Sequence, residues 1–320
     1  MRLRTLSMAL AVIGCGGTPA PGVPVAPAPG VPVAPAPAPR AVAARAALRL
    51  CTWNIAKLGH RQGKDFRVLG SVLEQNCDLA AILEVMQKGG RHPGYERLRE
   101  VLGAGWTGTV TASPRPNHGA GHAEFYAALW RPEKVAWCES WSMLRYFSDN
   151  DGSHAGSGAD RFRREPAYGC FQATPQADVG FDFLLGIYHA TWARGDSAQT
   201  AAEVRQLELV VDEMKQARQG ENDLLLAGDF NLVPAQLAAA TRLDDWTEGS
   251  GSTLNRHGDR TANLYDHILL DSPRASPELA KKARVLDVRS ACTSTRVFEQ
   301  TVSDHLPLVL DIDVFQADDD

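Results

Sequence analysis

The sequence predicts an α/β or α+β fold built on two packed β-sheets, on three observations. Strand-like apolar runs outnumber helical ones, polar breaks separate them at short intervals, and no break between Ala47 and Phe315 divides a domain. At 44% hydrophobic and 22% charged, the 320 residues have the balance of a globular chain with a sizeable core.

"LRLCTWNI" (48–55) reads as a first strand, residues 64–76 as a helix and "DLAAILEV" (78–85) as a second strand. "AEFYAALWRPEKVAW" (123–137) reads as two strands turning at Arg131-Pro132, and the Gly/Ser/Asp-rich stretch Ser148 to Asp160 as a loop. "REPAYGCFQA" (164–173) and "FDFLLGIYHA" (181–190) are further strands. One long helix is expected over 197–219, capped by Asp196 or Ser197 and closed by Gly220. "LLLAGDFNLVP" (224–234) is a buried strand stopped by proline. In extended backbone its Asp229 and Asn231 share one side while Phe230 points into the protein. A polar loop (247–262), the strand "LYDHILL" (264–270) and a last strand "HLPLVLDIDVF" (305–315) complete the order.

The fold is expected over residues 47–316, followed by an acidic tail at 317–320. Arg2 and Arg4 precede a short apolar run, Leu6 to Ile13, and "VIGC" ends at Cys15; this layout over residues 1–15 resembles a bacterial lipoprotein signal with Cys15 as the lipidated residue. "PGVPVAPA" then occurs twice in tandem, Pro21–Ala28 and Pro29–Ala36, so residues 16–46 form a semi-rigid spacer without a core. The expectation is a monomeric module outside the cytoplasm, lipid-anchored to a bacterial membrane or secreted. Residues 51–320 carry 28 basic against 38 acidic side chains, a net of −10, which excludes polyanion binding through a general basic field. Five further cysteines (Cys51, Cys77, Cys138, Cys170, Cys292) form no CxxC or Cys/His cluster, which argues against structural zinc, and an odd number leaves at least one thiol free.

Polar residues recur at strand ends in a way turns do not require. Asn54 closes the first strand, Glu84 the second and His189 "LLGIYH"; Asp229 and Asn231 follow "LLLAG", Asp266 sits in "LYDH", and Asp304 and His305 precede the last strand. Each alone has an ordinary reading as turn residue, cap or hydrogen-bonded core histidine. Together, "TWNI", "LEV", "YHA", "GDFN", "YDHIL" and "SDHLP" resemble the endonuclease/exonuclease/phosphatase superfamily. "EFYAALWRPEKV" (124–135) and "FRREPA" (162–167) resemble its deoxyribonuclease I branch. The abasic-site nuclease branch fits less well, since it places an aspartate near Ala56 and lacks a histidine at the position of His189.

The resemblance implies a four-layer α/β sandwich, two mixed sheets face to face with helices outside. It implies that His189 and His305 are the proton-transfer pair, oriented by Glu124 and Asp266, and that Arg164 contacts the substrate phosphate, with Asn231 beside it. It also places Cys138 and Cys170, which flank the 148–160 loop, on neighbouring strands, where they are expected to pair. The chemistry agrees with the resemblance: phosphodiester hydrolysis needs an activated water, neutralised phosphoryl oxygens and a proton for the leaving oxygen. Glu84 and Asn54 offer oxygen ligands, with Asp229 and Asp304 in reach to orient water and phosphate or hold a second ion. The absence of soft ligands nearby favours Mg²⁺, with Mn²⁺ and Ca²⁺ as alternatives. Where the branch has an arginine after its Glu-Val and a tyrosine two before the orienting glutamate, this chain has Met86 and His122, so the groove departs from the branch while the centre does not.

The leading expectation is a Mg²⁺-dependent phosphodiesterase acting on DNA. A sphingomyelinase-like or other small-phosphodiester hydrolase is the second reading. A retired binding module is disfavoured because all six motifs keep their reactive residues.

Overall fold

The computed structural model describes residues 47–112, 124–147, 161–174, 180–193, 196–271, 277–279 and 281–315. Cys15, the proline-rich spacer, His122, the 148–160 stretch and the acidic tail lie outside them. In chain order the elements are β1 (Leu48–Leu58), α1 (Phe66–Asn76), β2 (Leu79–Met86), α2 (Pro93–Leu102), β3 (Thr107–Val110), β4 (Glu124–Trp130), β5 (Val135–Trp137), β6 (Arg145–Tyr146), β7 (Ala167–Ala173) and β8 (Asp182–His189). Then come α3 (Ser197–Val204), α4 (Leu207–Ala217), β9 (Leu224–Asp229), α5 (Pro234–Ala240), β10 (Asp244–Asp245), β11 (Thr247–Glu248), β12 (Asp266–Leu270), β13 (Ala283–Val285), α6 (Thr295–Thr301) and β14 (Leu308–Ile312).

Two mixed sheets result. One has the order β11-β13-β14-β1-β2-β4-β3, the other β10-β12-β9-β8-β7-β5 with β6 also on β7. Strand alternation gives each sheet two apolar faces. Leu48 and Leu50 of β1, Leu79, Ala81 and Leu83 of β2 and Tyr126, Ala128 and Trp130 of β4 face Leu185 and Ile187 of β8, Leu225 and Ala227 of β9 and Ile268 and Leu270 of β12 across the seam. The opposite face of the first sheet, Cys51, Trp53, Ile55, Ala80 and Ile82, packs with Leu69 and Leu73 of α1, Leu98 of α2 and Phe298 of α6. Leu184, Tyr188, Leu224 and Leu226 of the second sheet pack with Val204 of α3, Val210 and Met214 of α4 and Leu237 of α5. The four expected layers are therefore helix, sheet, sheet, helix. Among the described residues no helix is long and apolar enough to cross a membrane.

Several element bounds differ from the sequence expectation for local reasons. The first helix starts at Phe66, because the Asp65 carboxylate caps the backbone N–H groups of Arg67 and Val68. The long helix at 197–219 is two helices: Gln206 N bonds to Glu203 O and Leu209 N to Gln206 O, a tightened turn that interrupts the regular ladder. The last strand begins at Leu308, directly after Pro307, which has no N–H to give the sheet. Arg131-Pro132 does join two strands, but β4 and β5 belong to different sheets, so the turn is a crossing and not a hairpin. Helices α2, α5 and α6 were not foreseen, although α2 carries its own signal in Pro93 at the helix start.

Cys138 and Cys170 form a disulfide, as expected, and Cys51 and Cys77 form a second that was not foreseen. Among the described residues Cys292 is the remaining free thiol.

Candidate active site

The parity that builds the seam also delivers the polar residues to one of its ends. Asn54 continues the inward set Leu48, Leu50; His189 continues Leu185, Ile187; Asp229 continues Leu225, Ala227; Glu124 and Asp266 begin the inward sets of β4 and β12. Register completes the convergence, because His189 lies opposite Asp229 and Asp229 opposite Asp266 across β8, β9 and β12. Gly228 allows the approach: it sits at φ 155°, and a Cβ there would collide with the backbone carbonyl of Tyr188.

Asp229 is the hub. Its Oδ2 accepts from Asn54 Nδ2 at 3.1 Å, linking the two sheets, and its Oδ1 accepts from the Asn231 backbone N at 3.0 Å. The Nε2 atoms of His189 and His305 each lie 3.6 Å from Asp229 Oδ2. Behind them, His189 Nδ1 donates to Glu124 Oε2 at 3.1 Å and His305 Nδ1 to Asp266 Oδ2 at 2.8 Å. Two carboxylate-backed imidazoles thus face one carboxylate. The carboxylates can only accept when ionised, so each Nδ1 carries a proton and each Nε2 is left for exchange.

Glu84 reaches the site by a break in alternation. Ile82 and Val85 both pack toward the helices, and the register of β2 with β4 shifts between them, leaving Glu84 as the extra residue at φ 56°. Its Oε2 accepts from Lys57 N at 2.8 Å, and Lys57 is itself at φ 51°. Asn231 is also at φ 51°, so it is not the extended residue the sequence suggested; its Nδ2 donates to Ala190 O at 3.0 Å while Phe230 is buried as expected. Of the four non-glycine residues at positive φ among those described, three border this site, a concentration of strain typical of functional regions.

Arg164 is half-enclosed and already engaged. Its Nε lies 2.5 Å from Glu124 Oε2, its Nη2 donates to Glu124 Oε1 at 3.0 Å and its Nη1 to Ala190 O at 3.3 Å. It therefore positions the carboxylate that backs His189, using three of its five N–H groups and keeping two. Burial raises the Glu124 pKa, but the His189 hydrogen bond and the charges of His189 and Arg164 outweigh it and carry the group down to about 2. Burial and Arg164 lower the His189 pKa, yet Glu124 and Asp229 raise it overall. His305 is held well above its usual value, because Asp266 and Asp229 outweigh burial. Asp229 is raised, chiefly by burial and by Asp266 against the pull of the two histidines.

The donor set suits a hard cation. Asn54 Oδ1 is buried without a hydrogen-bond partner, an oxygen left open at the hub. Glu84, Glu124 and Asp304 line one cleft of about 1130 Å³ beside it. Asp229, Asp266 and His305 have ligand atoms within 4.8 Å of one another; of the expected metal set, this cluster contains Asp229 only.

The structure adds residues the sequence did not single out. Ser303 donates to Asn54 O at 2.7 Å and accepts from the backbone N of Ala56 and His305, tying the first strand end to the last. Tyr126 Oη accepts from His189 N at 3.2 Å. Lys57, Arg61 and Lys88 line the cleft together with Met86, which stands at the position of the branch's groove arginine and is 2% exposed. Lys64, buried below, donates to Val302 O at 2.5 Å, and burial with the Arg61 charge pushes its pKa down to about 8. Of these, only Ser303 left a trace in sequence, at the second position before His305 in "SDH".

Comparison with known proteins agrees with this architecture. A family model described as Endonuclease/Exonuclease/phosphatase family matches residues 51–305. A protein named deoxyribonuclease from a Thioalkalivibrio species is 32% identical over 245 residues, 73% of this chain; the chain spans only 61% of that relative's length. Solved structures of endonuclease/exonuclease/phosphatase proteins from Bacteroides vulgatus and Bacteroides thetaiotaomicron share the fold with TM-scores of 0.58 and 0.56, at 17% and 18% identity. They match 84% and 83% of this chain and 99% and 97% of their own. A mannosyl-6-phosphatase from Bacteroides thetaiotaomicron shares it with a TM-score of 0.54 at 18% identity, over 83% of this chain and 99% of that one. With most of its folded part matched by one family model and the motif residues gathered at one end of the seam, the chain belongs to the endonuclease/exonuclease/phosphatase family.

Proposed function

We propose that this protein is a Mg²⁺-dependent phosphodiester hydrolase that cuts DNA as an endonuclease, held outside the cytoplasm by a lipid on Cys15. The observation that carries the chemistry is the pair of dyads, Glu124–His189 and Asp266–His305, whose Nε2 atoms both lie 3.6 Å from Asp229 Oδ2. One imidazole takes a proton from the attacking water as the water oxygen bonds to phosphorus. The other returns a proton to the ester oxygen as its bond to phosphorus breaks. Asp229 and Asn231 orient water and phosphate, and the two uncommitted N–H groups of Arg164 face the phosphoryl charge. Asn54 and Glu84, with Asp229 and Asp304, would hold the ion, which when bound neutralises charge on the phosphoryl oxygens. The DNA reading is supported by the similarity to a protein named deoxyribonuclease and by the cations along the cleft.

Plasmid nicking by purified protein tests it. Supercoiled plasmid is expected to be nicked with Mg²⁺ and to stay intact in excess EDTA. Sphingomyelin liposomes assayed at matched enzyme are expected to release no choline phosphate; release from liposomes with intact plasmid would establish the small-head-group reading instead. Cys15→Ala protein is expected to leave the membrane fraction, and its retention there would remove the anchor.

A further inference from the structure

Trp192 is the most exposed large hydrophobic side chain among the described residues, at 62%, and it follows His189 by only three positions. Three residues of chain span at most about 11 Å, so its Cα lies close to the catalytic histidine. The backbone that leads to it is held by hydrogen bonds. Ala190 N donates to Asp229 O at 2.8 Å, Ala190 O accepts from Arg164 and Asn231, and Thr191 is held by Glu203 Oε1 at 3.3 Å and by Thr200 Oγ1 at 2.7 Å. On the far side Asp196 N donates to Ala193 O at 3.0 Å. A large flat ring is thus presented to solvent three residues after the catalytic histidine, where a packing role would have buried it.

We infer that Trp192 is a stacking platform for a nucleobase next to the scissile phosphate. This rests on the proposed nuclease activity and adds its mode of recognition. The lysines that line the cleft belong to the first sheet and its loops, whereas Trp192 follows β8 of the second, on the chain segment whose Ala190 O accepts from Arg164. The charge balance argues for such a contact. With a net of −10 the folded part gains little from a general electrostatic field, while a base offers a neutral face that the field does not repel. Stacking of this kind favours single-stranded or unpaired bases and is tolerant of sequence.

The test uses one single-stranded oligonucleotide in two forms, fully base-bearing and abasic around the cut site, and reads the ratio of kcat/KM between them. Wild type is expected to prefer the base-bearing form by about tenfold or more, Trp192→Ala to bring the ratio near one, and Trp192→Phe to keep most of the preference. A ratio unchanged in a folded Trp192→Ala variant overturns the platform while leaving the nuclease reading standing. Failure of wild type to cut either form while it nicks plasmid overturns the platform alone, and failure on plasmid as well overturns both. If Trp192→Ala instead impairs choline-phosphate release from liposomes, the ring serves a quaternary ammonium and the inference is wrong.

Discussion

Asp229 connects the two sheets, both histidines and the Asn231 turn through one carboxyl group, so a change there is a change to the whole centre. His189→Ala and His305→Ala are expected to lower the rate by roughly 10² to 10⁴ each in folded protein, the usual worth of a general acid or base. Near-normal turnover in either variant would remove that residue from the reaction. Arg164 makes a different prediction, because its fork is spent mainly on Glu124. Arg164→Ala is expected to lower kcat more than it raises KM, since it releases the carboxylate that orients His189. A loss confined to KM would mean that Arg164 acts only on substrate. Asn54, Glu124, His189, Asp229 and Asp266 were legible because each sits at a strand end on the inward parity. The engagement of Arg164 was not, because nothing in "FRREPA" shows which neighbour its guanidinium meets after folding.

At the scale of elements, β12 carries two titratable residues side by side with opposite destinies. Asp266 faces the seam and His267 the helix layer, where its Nδ1 meets Asp245 Oδ2 at 3.0 Å and its Nε2 meets the carbonyls of Leu232 and Leu264, each at 3.0 Å. All these partners only accept, so both ring nitrogens carry protons and His267 is a buried cation. Burial lowers its pKa, but the Asp245 hydrogen bond and charge outweigh it and raise the pKa above 6.5. A raised folded pKa contributes stability that is fully present below the unfolded value and lost as pH rises through the folded one. Urea midpoints are therefore expected to fall as pH climbs above 6.5. His267→Gln is expected to flatten that slope and cost about 1–3 kcal/mol, the penalty for buried groups left unpaired. An equal slope in both proteins would place the titration elsewhere. The strands, their parity and the order of layers could be read from apolar periodicity. The bulge at Glu84, the positive φ of Asn231 and the split of the 197–219 helix could not, because cross-strand register and local turn bonding set them.

The whole molecule is an acidic sandwich closed by two disulfides. The cysteine pairs lie 26 and 32 residues apart, and closing loops of that length restricts the unfolded chain by about 3–4 kcal/mol each on the chain-entropy model. A Cys51→Ala/Cys77→Ala variant is expected to lose stability of that order, read as a lower urea midpoint, and an unchanged midpoint would show that layer packing alone holds β1 to α1. The balance of charge makes the last prediction. The exposed cations at the cleft are Lys57 and Lys88, while Arg61 is paired with Glu299 at 3.1 Å. Each lysine that meets a DNA phosphate releases about one counterion, so binding in a nonhydrolysing buffer should weaken linearly in log salt. Lys57→Gln with Lys88→Gln is expected to reduce that slope by about 2 and to leave the affinity of the variant above moderate salt close to wild type. An unchanged slope would move the phosphate track away from this wall of the cleft, toward Arg164 and the second sheet.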